Sequence, residues 1–146
     1  MSVDNTQPEG ENPITDFTVE FLGTQRSSNA ASRRDLGFTG QLGGKWYAVY
    51  GDVLWCETGV TDPAEDTEGF HGMVRNAVSA LTDDPLVVED LHLNDDGHQL
   101  QFMPFNEEWG ETNMFGFGGT GIVEVDPESA TGVLYYLVVS MFHYGF

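Results

Sequence analysis

An all-β fold is the expectation for this chain, and three features of the sequence carry it. Nothing shows the 3.6-residue apolar period of a long amphipathic helix; apolar residues alternate or run together in short blocks instead. Turn-forming groups punctuate those blocks, among them Gly43-Gly44, Asp83-Asp84-Pro85, Asp95-Asp96-Gly97 and Asp126-Pro127. One β-hairpin pattern also recurs later in the chain.

Residues 1–13 carry two prolines and mostly polar groups, and read as a flexible acidic tail. From Asp16 to Leu22, Phe17, Val19 and Phe21 alternate with polar residues, the pattern of a half-buried strand. Small polar residues over 23–32 predict a loop. Two strands follow, residues 33–42 and 45–50, joined at Gly43-Gly44; that pair supplies the positive φ angles of a two-residue hairpin turn. The second strand is apolar on both faces, with Trp46, Ala48 and Tyr50 on one and Tyr47 and Val49 on the other, so it belongs inside a covered sheet.

The acidic stretch from Asp62 to Glu68 reads as a surface loop. Residues 76–81 fit a strand or one helical turn, and the turn at 82–85 leads to a β-rich segment at 86–93. Asn94-Asp95-Asp96-Gly97 is a hairpin turn, with 99–102 returning as a strand. A loop over 104–113 carries Trp109. The last elements are a glycine-led strand at 116–125, a turn at 126–129 and a strand at 131–139.

The hairpin of Gly37-Phe38-Thr39-Gly40-Gln41-Leu42 and Lys45–Tyr50 recurs as Gly118-Gly119-Thr120-Gly121-Ile122-Val123 and Val133–Val138, with Thr39 and Thr120 separated by 81 positions (120 − 39). A repeated up-and-down four-stranded unit, inner strand first, is the plan of a β-propeller blade. The period exceeds the roughly 40–50 residues of common blades, and the acidic and Trp109 loops absorb the excess. Residues 14–146 then form a partial propeller, with blade one over about 33–103 and blade two begun at about 114–139. One and a half blades leave apolar edges open, so the expectations are a fragment of a longer protein and self-association through those edges.

Composition bounds the function. The chain has 146 residues, 40% of them apolar and 12% aromatic, enough for a single folded core. Acidic residues number 24 against 5 basic ones, for a net charge of −19. Such a surface repels phosphate backbones and anionic membranes, which excludes nucleic acid and membrane as expected partners. Cys56 stands alone, so no internal disulfide is expected. The polar start has no signal-peptide core, which predicts a cytoplasmic location, or a secreted one if an upstream segment is missing.

The segment Arg34-Asp35-Leu36-Gly37-Phe38-Thr39-Gly40 with Lys45-Trp46-Tyr47-Ala48-Val49-Tyr50-Gly51-Asp52 resembles the first blade of a five-bladed propeller. The similar families are the arabinanase, invertase and levansucrase clan of glycosidases and, more closely, the relative termed domain of unknown function 4185. The resemblance continues through Gly69-Phe70-His71-Gly72-Met73, Asn76–Ser79, Asp83–Val88 and Gly119–Val123, and covers about 16–138. It implies carbohydrate as the ligand, and Asp35 as general base or nucleophile at the start of an inner strand. The repeat offset sets Gly116 against Asp35, so the second blade offers no carboxylate there; Glu111 and Glu124 are near but out of position. The clan's general acid comes from a later blade that this sequence lacks.

The expected roles follow. Asp35 is the candidate base, or else the ion-pair partner of Arg33 or Arg34. Asp52, Trp55, His71, Arg75 and Trp109 are candidate substrate-binding residues: Asp52 in the channel or a turn, Trp55 and Trp109 as stacking platforms or core, His71 toward a sugar hydroxyl or in a structural bond, Arg75 neutralising Asp35 or Asp52. Asp62–Glu68 lacks the spacing of a calcium loop and reads as solvated, and no metal or other cofactor is expected. The functional expectation is a glycosidase-like propeller piece, with a non-catalytic carbohydrate-binding piece or an inactive truncated product as the alternatives.

Overall fold

The computed structural model describes residues 18–119 and 121–140. Ten strands form among them, with 3₁₀ turns at Pro63–Glu65 and Glu107–Trp109 and no α-helix. A short β1 (Arg26–Ser27) precedes the long hairpin of β2 (Ser32–Leu42) and β3 (Lys45–Trp55). Gly43 and Gly44 join them with φ of 58° and 75°, the pair of positive angles that a type I′ turn needs. β3 is central: β2 pairs along one side, while β4 (Met73–Val74) and β5 (Ala77–Leu81) pair along the other. β6 (Val87–Asp90) then pairs with β5, and β1 closes the far edge in parallel with β6. Strands β2, β3, β5 and β6 thus make a four-stranded antiparallel meander in a sheet that curls as a half-barrel.

The doubly apolar β3 dictates that position. On one face Ala48, Tyr50 and Val53 pack with Val74 and Ala77, flanked by Trp55 and Leu81. On the other, Val49 pairs across the ladder with Val78, both buried. Branched side chains on a pleated, covered surface account for the strand.

A buried ion pair ties the sheet together. Arg34 on β2 reaches across β3 and β5 to Asp90 on β6, donating from both terminal nitrogens at 2.8 Å. Ser79 of β5 and Ser27 of β1 donate to the same carboxylate at 2.6 and 2.7 Å, and the guanidinium lies 4.9 Å from the Tyr50 ring centroid.

The remaining chain forms a second hairpin, divided into two ladders. β7 (Phe115–Gly119) pairs with β10 (Tyr136–Ser140), and β8 (Val123–Asp126) pairs with β9 (Thr131–Val133). It crosses β2 at a glycine contact: a Cβ on Gly40 would overlap the backbone of Ile122, and one on Gly121 would stand 2.6 Å from the Thr39 carbonyl oxygen. Glu124 accepts from the Gly43 backbone N–H. Gly40 and Gly121, like Gly43 and Glu124, are separated by the repeat spacing of 81. Matching positions of the two hairpins therefore meet.

Four expectations need correction. The described part of the proposed first strand, from residue 18 on, is not a strand; Val19 and Phe21 are 85% and 86% exposed because no strand pairs with them. Asp16, Phe17 and the proposed tail lie outside the described residues. The expected loop over 23–32 contains β1, recruited by the free edge of β6. The turn at 94–97 forms, but the return strand at 99–102 shrinks to the single bridge Leu93–Gln99. The hairpin expected from single strands at 116–125 and 131–139 has each of them split in two, since it changes register where it crosses β2.

Removing Arg34 leaves the Asp90 carboxylate buried without its cation, so Arg34→Ala is expected to lower stability by about 3–5 kcal/mol in urea unfolding. A loss below about 1 kcal/mol would show that the pair does not hold the sheet. Gly40→Ala forces the hairpins apart and should lower stability by about 1–3 kcal/mol, the range for an inserted group with no room.

Candidate carboxylate cleft

Two irregularities in the β2–β3 ladder lie beside the site. Arg34 pairs with Val53, Leu36 with Tyr50 and Phe38 with Val49, so the register shifts on either side of Leu36. The first shift places an extra residue on β3 and the second an extra residue on β2, and such bulges turn side chains out of the regular alternation. Leu36 takes φ of 65° and Gly37 φ of 100°. For a leucine the left-handed region is strained, and a backbone held there marks a place where other contacts dictate the conformation.

Next to the Arg34–Val53 pair, Asp35 of β2 lies beside Asp52 of β3. The Asp35 carboxylate lies over Gly51, where a Cβ would stand 2.5 Å from its Oδ1, and the Asp52 backbone N–H favours its charged form. Asp52 Oδ2 accepts from Arg75 Nη1 at 3.1 Å, and Asp52 Oδ1 is buried with no partner among the described residues. Arg75 is itself held: its Nε donates to the Asn113 carbonyl at 2.8 Å and its backbone N–H to Gln101 Oε1 at 3.1 Å.

The two carboxylates are therefore unequal. Arg75 faces Asp52, while Arg33 is paired with Asp66 and Arg34 with Asp90. Asp35 has none of these cations. Burial first, and the Asp52 charge second, raise the Asp35 carboxyl above its usual range against the opposing Asp52 N–H. Neighbouring carboxyls in unequal surroundings are the arrangement that separates acid–base roles.

Asp35 and Asp52 open onto a cleft of about 310 Å³. Its far wall is Gly116, Phe117 and Gly118 of β7, with Leu137 and Val139 of β10. Gly116, the repeat counterpart of Asp35, thus lines the same cleft without a carboxylate. Glu111 accepts from the Asn106 N–H at 2.6 Å and Glu124 from the Gly43 N–H, so both bond to backbone elsewhere. Chemically, the cleft offers one carboxyl able to exchange a proton, one carboxylate compensated by Arg75, and an apolar wall.

Of the residues singled out from sequence, Asp35, Asp52 and Arg75 come together, Trp55 adjoins Arg75 away from the two carboxylates, and His71 and Trp109 stand apart. Trp55 donates to the Gln99 carbonyl at 3.0 Å and stacks on His98 at 5.1 Å. It also lines a neighbouring cleft with Phe70 and Arg75. His71 Nε2 lies 3.6 Å from Asp66 Oδ1 in the acidic loop. Trp109 is 78% exposed and faces the opposite side of the second hairpin. Side chains alternate along β10, so Leu137 and Val139 reach the Asp35 cleft while Tyr136 and Val138 face the Trp109 side. Sequence reasoning missed the apolar wall and Gln101 and Asn113, which steady Arg75. The Leu36-Gly37 pair was a signal for the bulge.

The acidic loop is used internally. Asp62 caps the first 3₁₀ turn through the Ala64 N–H at 2.9 Å, and Asp66 accepts from the Glu57 N–H and from Arg33. Among the described residues no group of three or more His, Cys, Asp or Glu is arranged to hold a metal ion. Cys56 is buried, and burial pushes its thiol up in pKa. No described helix is long and apolar enough to cross a membrane. The chain matches no protein-family model, no curated protein and no solved structure.

The raised Asp35 carboxyl has a signed consequence. The folded chain holds this proton more tightly than the unfolded chain, whose value is near 3.8. The stability gained is complete below that pH and is lost as pH rises through the folded-state value. Asp35→Asn should flatten this part of the stability–pH curve. A carboxyl-carbon NMR titration of Asp35 with its midpoint at or below 3.8 would contradict the argument.

Proposed function

We propose that the chain is the opening part of a β-propeller of the glycosidase-like kind, the meander being the first blade and the second hairpin the start of the next. The Asp35–Asp52 cleft then binds a neutral glycan, with Asp35 as the base of a hydrolytic site. The observation that carries this reading is the meeting of Asp35, Asp52 and Arg75 at the double bulge, opposite the second hairpin. Support also comes from the contact between matching positions of the two hairpins, the geometry of successive repeats placed side by side.

In this reading, sugar hydroxyls hydrogen-bond to the carboxylates while Leu137 and Val139 cover an apolar ring face. Arg75 compensates Asp52, which leaves Asp35 to take a proton from water or a hydroxyl. Hydrolysis needs a second carboxyl about 5–5.5 Å away for retention or about 6.5–9.5 Å away for inversion. Gly116, where the second blade would place one, favours the second reading: carbohydrate binding without turnover.

A panel of neutral oligosaccharides, screened for new reducing ends and for binding by saturation-transfer NMR, separates the two. In the catalytic case Asp35→Asn lowers hydrolysis by about 10²–10⁴-fold while binding persists, the size of a lost acid–base group. Undiminished hydrolysis by that variant removes Asp35 as base, and binding without hydrolysis selects the second reading. If no oligosaccharide binds, both fall.

A further inference from the structure

The second hairpin has two faces, and the one turned away from Asp35 carries a pocket that the proposed function does not use. Its volume is about 610 Å³. Aromatic rings form the floor: Phe105 lies 5.5 Å from Phe117, which meets Tyr136 edge-on at 5.8 Å. Leu134 and Val138 complete the apolar lining. Trp109, 78% exposed, stands at the mouth on a 3₁₀ turn that Asn106 caps by accepting from the Glu108 N–H. An indole presented this openly beside an aromatic floor is a stacking surface rather than part of the core.

Two observations point to the ligand's chemistry. Glu107 and Glu108 also line the pocket, and neither takes part in an ion pair among the described residues. All five basic residues, Arg26, Arg33, Arg34, Lys45 and Arg75, are outside the lining. The Tyr136 hydroxyl is buried with no hydrogen-bond partner among the described residues. Burial pushes that phenol up to about 12, so it stays neutral and adds no charge to the floor. Aromatic faces beside uncompensated carboxylates suit a positive charge on an apolar body.

We propose that this face binds a small organic ammonium ion, its cationic head against Trp109, Glu107 and Glu108 and its apolar portion over Phe117 and Tyr136. The site lies on the opposite face from the carboxylate cleft and is independent of the glycan reading.

The test is calorimetric titration of the chain at low ionic strength with 2-phenylethylammonium and its neutral counterpart 2-phenylethanol. The expected result is saturable binding of the ammonium, about tenfold tighter than the alcohol, the scale of a cation–π contact supported by carboxylates. Trp109→Ala, which removes an exposed ring, should weaken the ammonium about tenfold. The paired change Glu107→Gln and Glu108→Gln should erase the preference for ammonium over alcohol. Equal affinity for the two compounds would reduce the pocket to an apolar surface and overturn the proposal. So would unchanged binding by Trp109→Ala, or the absence of saturation.

Discussion

The structure depends on a charge that has to be buried well. Arg34 and Asp90 sit on strands at opposite sides of the meander, and between them lie β3 and β5. An isolated carboxylate in that interior would be strongly disfavoured, so the fold surrounds this one with donors: Arg34 twice, Ser27 and Ser79. Each donor comes from a different strand. A register slip in any of those strands would orphan the carboxylate, so the pair acts on alignment as much as on strength. The Tyr50 ring beneath the guanidinium joins the same network to the apolar core.

Holding Arg34 inward has a consequence one residue later. The register of Arg34 with Val53, continued by one residue, sets Asp35 opposite Asp52, with both side chains on the face away from Arg34. The two shifts around Leu36 cancel, so the irregular stretch lies beside the two carboxylates, which line one cleft. Strain at Leu36 is tolerated because the flanking pairs, Arg34 with Val53 and Phe38 with Val49, are tied into the sheet. A rigid four-stranded frame therefore supports an irregular edge, and the edge carries the chemistry.

The second hairpin shows how close packing and function share residues. Glycines at 40, 51 and 121 let its backbone lie directly against the first hairpin. That approach makes β7 and β10 the far wall of the Asp35 cleft and leaves their other face to the Trp109 pocket. One strand alternation thus serves two surfaces of opposite character.

Much of the frame was legible in local chemistry. Gly43-Gly44 admits few conformations other than the tight turn observed, and the doubly apolar β3 had to be central. The repeat spacing was also readable, and matching positions do meet. Asp35, Asp52 and Arg75 were named from sequence, with Arg75 expected to neutralise one of the two carboxylates; tertiary structure decided that it takes Asp52. Trp55, His71 and Trp109 look equally suited to a ligand when read one by one; only tertiary structure turns Trp55 onto His98, His71 toward Asp66 and Trp109 to the other face. The alternation at 18–22 failed for the same reason, since a strand exists only where another edge can receive its hydrogen bonds. Local sequence determined which segments could be strands and where they turned. Pairing, burial and charge compensation, which act between residues distant in the chain, decided which side chains share a site.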